Sequence, residues 1–118
     1  LSLLDGNYSV AITSAGLTAV RTNEVVTLTD INTFRTRYVG RYTLGSFSPA
    51  GYTFIDICDE ISLPKNQTLG GFSNKVYGTS FYGDGIDGIV TSETTFEVVH
   101  NIEFATGDQK QSYLYTRL

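Results

Sequence analysis

The 118-residue chain has no tryptophan, no methionine, two prolines, one cysteine and one histidine. Each shortage removes a class of explanation. A lone Cys58 cannot form an internal disulfide, so a packed core has to hold the fold together. One histidine and one cysteine do not supply the clustered ligands of a zinc site, and neither a metal nor another cofactor is expected. No apolar run approaches the ~20 residues of a membrane-spanning helix. Basic residues are also scarce: 8 Lys and Arg stand against 12 Asp and Glu, giving a net charge of −4, and a polyanion such as nucleic acid is not an expected partner. Arg21, Arg35, Arg37 and Arg41 do fall close together, but Arg35 and Arg37 alternate with Phe34, Thr36 and Tyr38, as on a strand with one solvated charged face.

What is present is β-forming. Thr, Val, Ile, Tyr and Phe dominate, and strong helix formers are few. Alternation is clearest over 94–104, where Phe96, Val98, His100, Ile102 and Phe104 share one face. A turn at 105–109 leads to a last strand, 111–118, with Gln111, Tyr113, Tyr115 and Arg117 opposite Ser112, Leu114, Thr116 and Leu118. Earlier strands are predicted at 7–12, 17–22 paired as a hairpin with 24–31, 33–38, 52–58, 61–63, 75–81 and 85–90, each bounded by turn-forming residues. Eight or nine short strands without helical crossovers predict one all-β domain over 1–118. An antiparallel up-and-down barrel of about eight strands closes its own edges, and a two-sheet sandwich is the alternative.

Catalytic patterns are weak. His100 lies mid-strand among apolar neighbours, and no G-x-S-x-G turn accompanies it, so a core or pocket-lining histidine is expected in place of a general base. Cys58, in the run Tyr52-Thr-Phe-Ile-Asp-Ile-Cys, reads as a small buried hydrophobe. Asp84 and Asp87 sit in a glycine-rich loop without the ligand spacing of an EF-hand, and they read as a turn. Asp56, Asp59 and Glu60, or Glu93, Glu97 and Glu103, fit alternating polar faces better than a glycosidase pair. Asn7-Tyr8-Ser9 and Asn66-Gln67-Thr68 match the N-glycosylation tripeptide, which is short enough to recur by chance. No enzymatic activity is expected. Eight tyrosines and seven phenylalanines are more than a generic β domain carries; ordinary core and hairpin packing is the first expectation for them, and a ligand platform the alternative. Tyr113, Tyr115 and Arg117 on one face of the last strand, together with His100, are the candidate ligand contacts.

The order of short motifs, Leu4-Asp-Gly-Asn-Tyr-Ser-Val, Ile61-Ser-Leu-Pro-Lys-Asn-Gln-Thr-Leu-Gly-Gly, Val76-Tyr-Gly and Phe96-Glu-Val with Ser112-Tyr-Leu-Tyr-Thr-Arg-Leu118, resembles the lipocalin-like C-terminal domains of Bacteroidetes surface lipoproteins, a domain type of unknown function. The resemblance implies that Gly6, Tyr8, Ile61, Leu63, Pro64 and Gln67 are markers of the fold. It also implies a cell-envelope location, at the outer-membrane surface or in the periplasm, and a lipidated segment upstream of Leu1 as the only tie to a membrane. An upstream segment is also the expectation from a chain that starts at Leu1 and has no methionine. Two readings follow: a non-catalytic module that binds a glycan or small apolar ligand, or a structural domain with a self-filled barrel that contacts other proteins at the cell surface.

Overall fold

Two residues with positive φ, Ala15 and Gly16, let the chain reverse tightly between the first two strands, β1 (Gly6–Ser14) and β2 (Leu17–Asp30). The structure, a computed structural model, describes residues 3–40, 51–69, 72–78 and 85–118. The strand β2 is one continuous element where two strands paired as a hairpin were expected. Thr22, expected to end the first of these strands, and Asn23, expected between the two, form instead a bulge: Tyr8 pairs with Glu24 but Val10 pairs with Arg21, so β2 carries one extra residue there. The bulge reverses the alternation of β2, from odd positions inward (Ala19, Arg21) to even ones (Glu24, Val26).

The remaining strands are β3 (Thr33–Arg35), β4 (Thr53–Ile57), β5 (Glu60–Ser62), β6 (Gln67–Thr68), β7 (Lys75–Gly78), β8 (Gly88–Val90), β9 (Thr95–Phe104) and β10 (Gly107–Arg117). All pairings are antiparallel. Eight strands close a ring in the order β1-β2-β3-β4-β5-β8-β9-β10, with β10 returning to β1. This is the barrel expected from sequence, and the sandwich alternative is set aside. The short β6–β7 pair lies outside the ring, joined to β9 where Val76 pairs with Ile102. Expected strand residues 79–81 lie outside the described residues, as do Arg41 and Asp84.

Cys58 is exposed. With Asp59 it forms the two-residue β4–β5 turn, both with positive φ, because the register Ile57↔Glu60 ends the strand one residue before the cysteine. The expected strand 33–38 stops at Arg35. Beyond it, Arg21 and Arg37 lie over the Tyr38 ring at 4.8 and 5.4 Å, and Arg35 is half-buried, donating to Thr53 Oγ1 and the Gly51 carbonyl. Aromatic packing and backbone bonding thus take the place of a freely solvated arginine face.

Pro64 and Gln67 acquire a physical role. The register Ile55↔Ser62 places Pro64 opposite Thr53, where a strand partner would have to donate an N–H that proline lacks. The Gln67 carboxamide stands in for it: Oε1 accepts from Thr53 N at 2.7 Å and Nε2 donates to Thr53 O at 2.8 Å. Gly88 is fixed by a different limit, since a Cβ there would collide with the Glu97 carbonyl of β9. Replacing Gln67 with Ala orphans both Thr53 groups and is expected to cost about 1–3 kcal/mol in denaturant unfolding. Gly88→Ala is expected to cost at least as much, roughly 2 kcal/mol or more, by forcing β8 away from β9.

Candidate functional site

Closing the sheet turns one side of every strand inward, and on β9 and β10 that side carries His100, Gln111, Tyr113 and Tyr115. The register sets Gln111 opposite His100, Tyr113 opposite Val98 and Tyr115 opposite Phe96. Tyr52, just before β4, faces them across the barrel. All of these polar aromatics are sealed: Tyr113 is 4% exposed, and Tyr115 and His100 are 0% exposed. The face expected to offer Tyr113 and Tyr115 to a ligand is therefore the inner wall.

The rings fill the interior. Phe96 stacks on Tyr115 at 4.3 Å, Tyr8 meets Phe96 edge-on at 5.2 Å, and Tyr52 packs against His100 at 4.7 Å and Tyr113 at 5.3 Å. Their polar tips pair with one another. Tyr52 and Tyr115 share a hydrogen bond of 2.7 Å between hydroxyls; the Tyr113 hydroxyl accepts from Gly40 N at 2.5 Å and lies 2.6 Å from His100 Nε2. One layer lower, Gln111 Nε2 donates to Ser14 Oγ at 2.8 Å and to Gln109 Oε1 at 3.1 Å.

Arg117 does not join this group. Its guanidinium donates to the Leu3 and Asp5 carbonyls at 2.7 and 2.9 Å and lies over the Tyr8 ring at 5.0 Å, tying the N-terminal segment to the barrel. The structure thus brings together three of the four expected contacts, His100, Tyr113 and Tyr115, and places the fourth in a structural clamp.

Sequence reasoning missed Tyr52, Ser14 and Glu24. Glu24 is turned inward by the bulge and accepts from the backbone N–H groups of Arg37 at 2.6 Å, Val25 at 2.9 Å and Tyr38 at 3.3 Å. It thereby holds the segment 37–40 that supplies Gly40 to Tyr113. No sequence signal marks the bulge, because Arg21-Thr-Asn-Glu contains neither Gly nor Pro. Gln111 was visible as a member of the Tyr113 face.

Burial governs the electrostatics. It lowers the His100 pKa from 6.5 to about 3, the Asn101 backbone offsetting only part of the effect, and it raises the Tyr52, Tyr113 and Tyr115 hydroxyls above the ordinary tyrosine value. These four groups are uncharged at neutral pH; the Glu24 pKa is raised by burial, while the three N–H donors and Arg21 pull it back. Asp56, inside the β4 end, is raised by burial and then by the Asp59 charge; Asp87 is raised by burial and accepts from Leu63 N at 3.0 Å. Among the described residues no group of three or more His, Cys, Asp or Glu is placed to hold a metal ion.

Outside the wall, a groove of about 740 Å³ runs between the β1–β2 and β9–β10 turns, lined by Thr13, Ser14, Phe104, Asp108, Lys110 and Ser112 among others. No protein-family model, curated protein or solved structure matches this chain.

The low His100 pKa fixes a pH dependence. The unfolded chain binds a proton at His100 below about pH 6.5 and the folded chain only near 3, so stability is lost as pH falls through that window. The raised carboxyls act in the opposite direction but are common to wild type and variant, so they cancel in the comparison. His100→Gln, which retains a partner for Tyr113, should reduce this loss. The stability difference between wild type and variant is expected to shift against wild type by about 1.4 kcal/mol per pH unit between about pH 6 and 4, read from urea unfolding.

Proposed function

We propose that this chain is a non-catalytic structural domain whose barrel is filled by its own side chains and whose outer surface contacts other proteins, as part of a cell-surface lipoprotein. The observation that carries this reading is the hydrogen bonding of Tyr52 with Tyr115 and of Tyr113 with His100 Nε2 in the barrel interior. An eight-stranded barrel is narrow enough to be packed solid, and a ligand could enter only by displacing aromatic rings that already bond to one another. Polar groups that recognise a ligand usually point into open space, whereas these point at each other.

One observation favours a second reading, that of a glycan-binding accessory module. The groove beside Phe104 is of ligand size, and it combines a half-buried aromatic ring with hydroxyl, carboxylate and ammonium groups. In that case the binding surface is the hairpin end of the barrel and not the tyrosine face.

Amide NMR titration of the 118-residue chain with plant and host glycans, fatty acids and Ca²⁺ separates the two. The structural reading expects no saturating shifts up to millimolar concentrations. Saturating shifts confined to Thr13, Phe104, Lys110 and Ser112 would establish the glycan module and overturn it. Tyr115→Ala is expected to cost about 3–5 kcal/mol in stability, as for other buried aromatic rings, with no loss of surface contacts that depend only on the fold.

A further inference from the structure

Among the described residues three buried side-chain atoms have no hydrogen-bond partner, Asp56 Oδ1, His100 Nδ1 on β9 and Gln111 Oε1 on β10, and the last two belong to residues on adjacent strands. His100 and Gln111 are register partners, both inward and both 0% exposed, so their Cβ atoms are about 5 Å apart. Their chemical characters are set by the bonds their other atoms make. The Tyr113 hydroxyl oxygen accepts from Gly40 N, and among the described residues its one proton has a single acceptor, His100 Nε2. Were Nε2 protonated, the Tyr113 proton would have no acceptor among the described residues. The imidazole is neutral, so its proton sits on Nδ1, which is a donor. Gln111 Nε2 uses its two protons on Ser14 Oγ and Gln109 Oε1, which leaves Oε1 as an acceptor.

A donor and an acceptor thus stand on register partners inside the barrel without bonding to each other. Neither side chain can turn to the other without giving up bonds it already makes. The Asn101 backbone lies close enough to influence the imidazole but outside hydrogen-bond geometry to Nδ1. Each buried polar atom left unpaired costs free energy of the order of a lost hydrogen bond, and a guest that both accepts and donates removes both penalties at once.

We propose that His100 Nδ1–H and Gln111 Oε1 form an internal binding site for one water molecule, which accepts from the imidazole and donates to the carboxamide. The bound water completes a polar wire through the barrel: Gly40 N–H to Tyr113, Tyr113 to His100, His100 to water, water to Gln111, Gln111 to Ser14. The wire joins the 37–40 segment held by Glu24 to the β1–β2 turn.

Long-range ¹⁵N–¹H correlation on the labelled 118-residue chain reads the His100 tautomer from its carbon-bound protons. A rotating-frame Overhauser experiment then tests for water beside the Nδ1 proton, the sign of the cross-peak separating proximity from proton exchange. The proposal expects the Nδ1–H tautomer, a slowly exchanging ring proton and a cross-peak to a bound water. Gln111→Leu should remove that cross-peak and speed exchange of the Nδ1 proton about tenfold or more. An Nε2–H tautomer, an Nδ1 proton with no water cross-peak, or a cross-peak unchanged in Gln111→Leu would overturn it. If Gln111→Leu does not fold, the two wild-type measurements decide the matter alone.

Discussion

Because Tyr8 to Thr13 of β1 pair with Arg117 to Ser112 of β10, the sheet has no free edge between its first and last strands, and its inner face is cut off from water. That closure is the constraint on which the rest depends. In an open sheet the hydroxyls of Tyr52, Tyr113 and Tyr115 would be solvated and would need no particular neighbours. Once sealed, each must find a partner within the barrel, and the 2.7 Å and 2.6 Å contacts among Tyr52, Tyr115, Tyr113 and His100 are the result.

The same constraint explains why devices that look like irregularities recur around the ring. The bulge in β2 delivers Glu24 to the interior, where it holds the backbone N–H groups of Arg37 and Tyr38, which form no strand, and of its neighbour Val25. The Gln67 carboxamide completes the β4 edge where Pro64 cannot. Arg117 reaches the Leu3 and Asp5 carbonyls at the chain's entry to the barrel. Each is a side chain doing the hydrogen bonding that a regular ladder would otherwise do, at a point where the ladder breaks.

For function, these devices have a common consequence. Tyr52, Tyr113, Tyr115, His100, Arg35 and Arg117, of the residue types that suggest recognition, are committed to the protein's own architecture. The surface offers instead the groove between two hairpin turns and scattered apolar side chains such as Ile31 at 84% exposure. This commitment of the inward polar groups to one another is the basis of the proposed structural reading.

Alternation over 94–104 and 111–118, turn residues such as Ala15-Gly16, and the scarcity of helix formers were enough to determine an all-β chain of short antiparallel strands and the membership of the His100 and Tyr113 faces. A period of two says which residues share a face but not which face turns inward, and on β10 both faces carry large apolar groups, Tyr113 and Tyr115 on one and Leu114 on the other. Closure decided that question, because only the β10 face that meets Phe96, Val98 and His100 across β9 can line the interior. Cys58, in an apolar run, ended exposed for a similar reason: hydrophobic neighbours in sequence predict burial only if the strand continues, and the β4–β5 register ended it at Ile57. The bulge at Thr22–Asn23, the pairing of Tyr52 with Tyr115 across 63 residues and the meeting of His100 with Gln111 depend on long-range register, which no local pattern encodes.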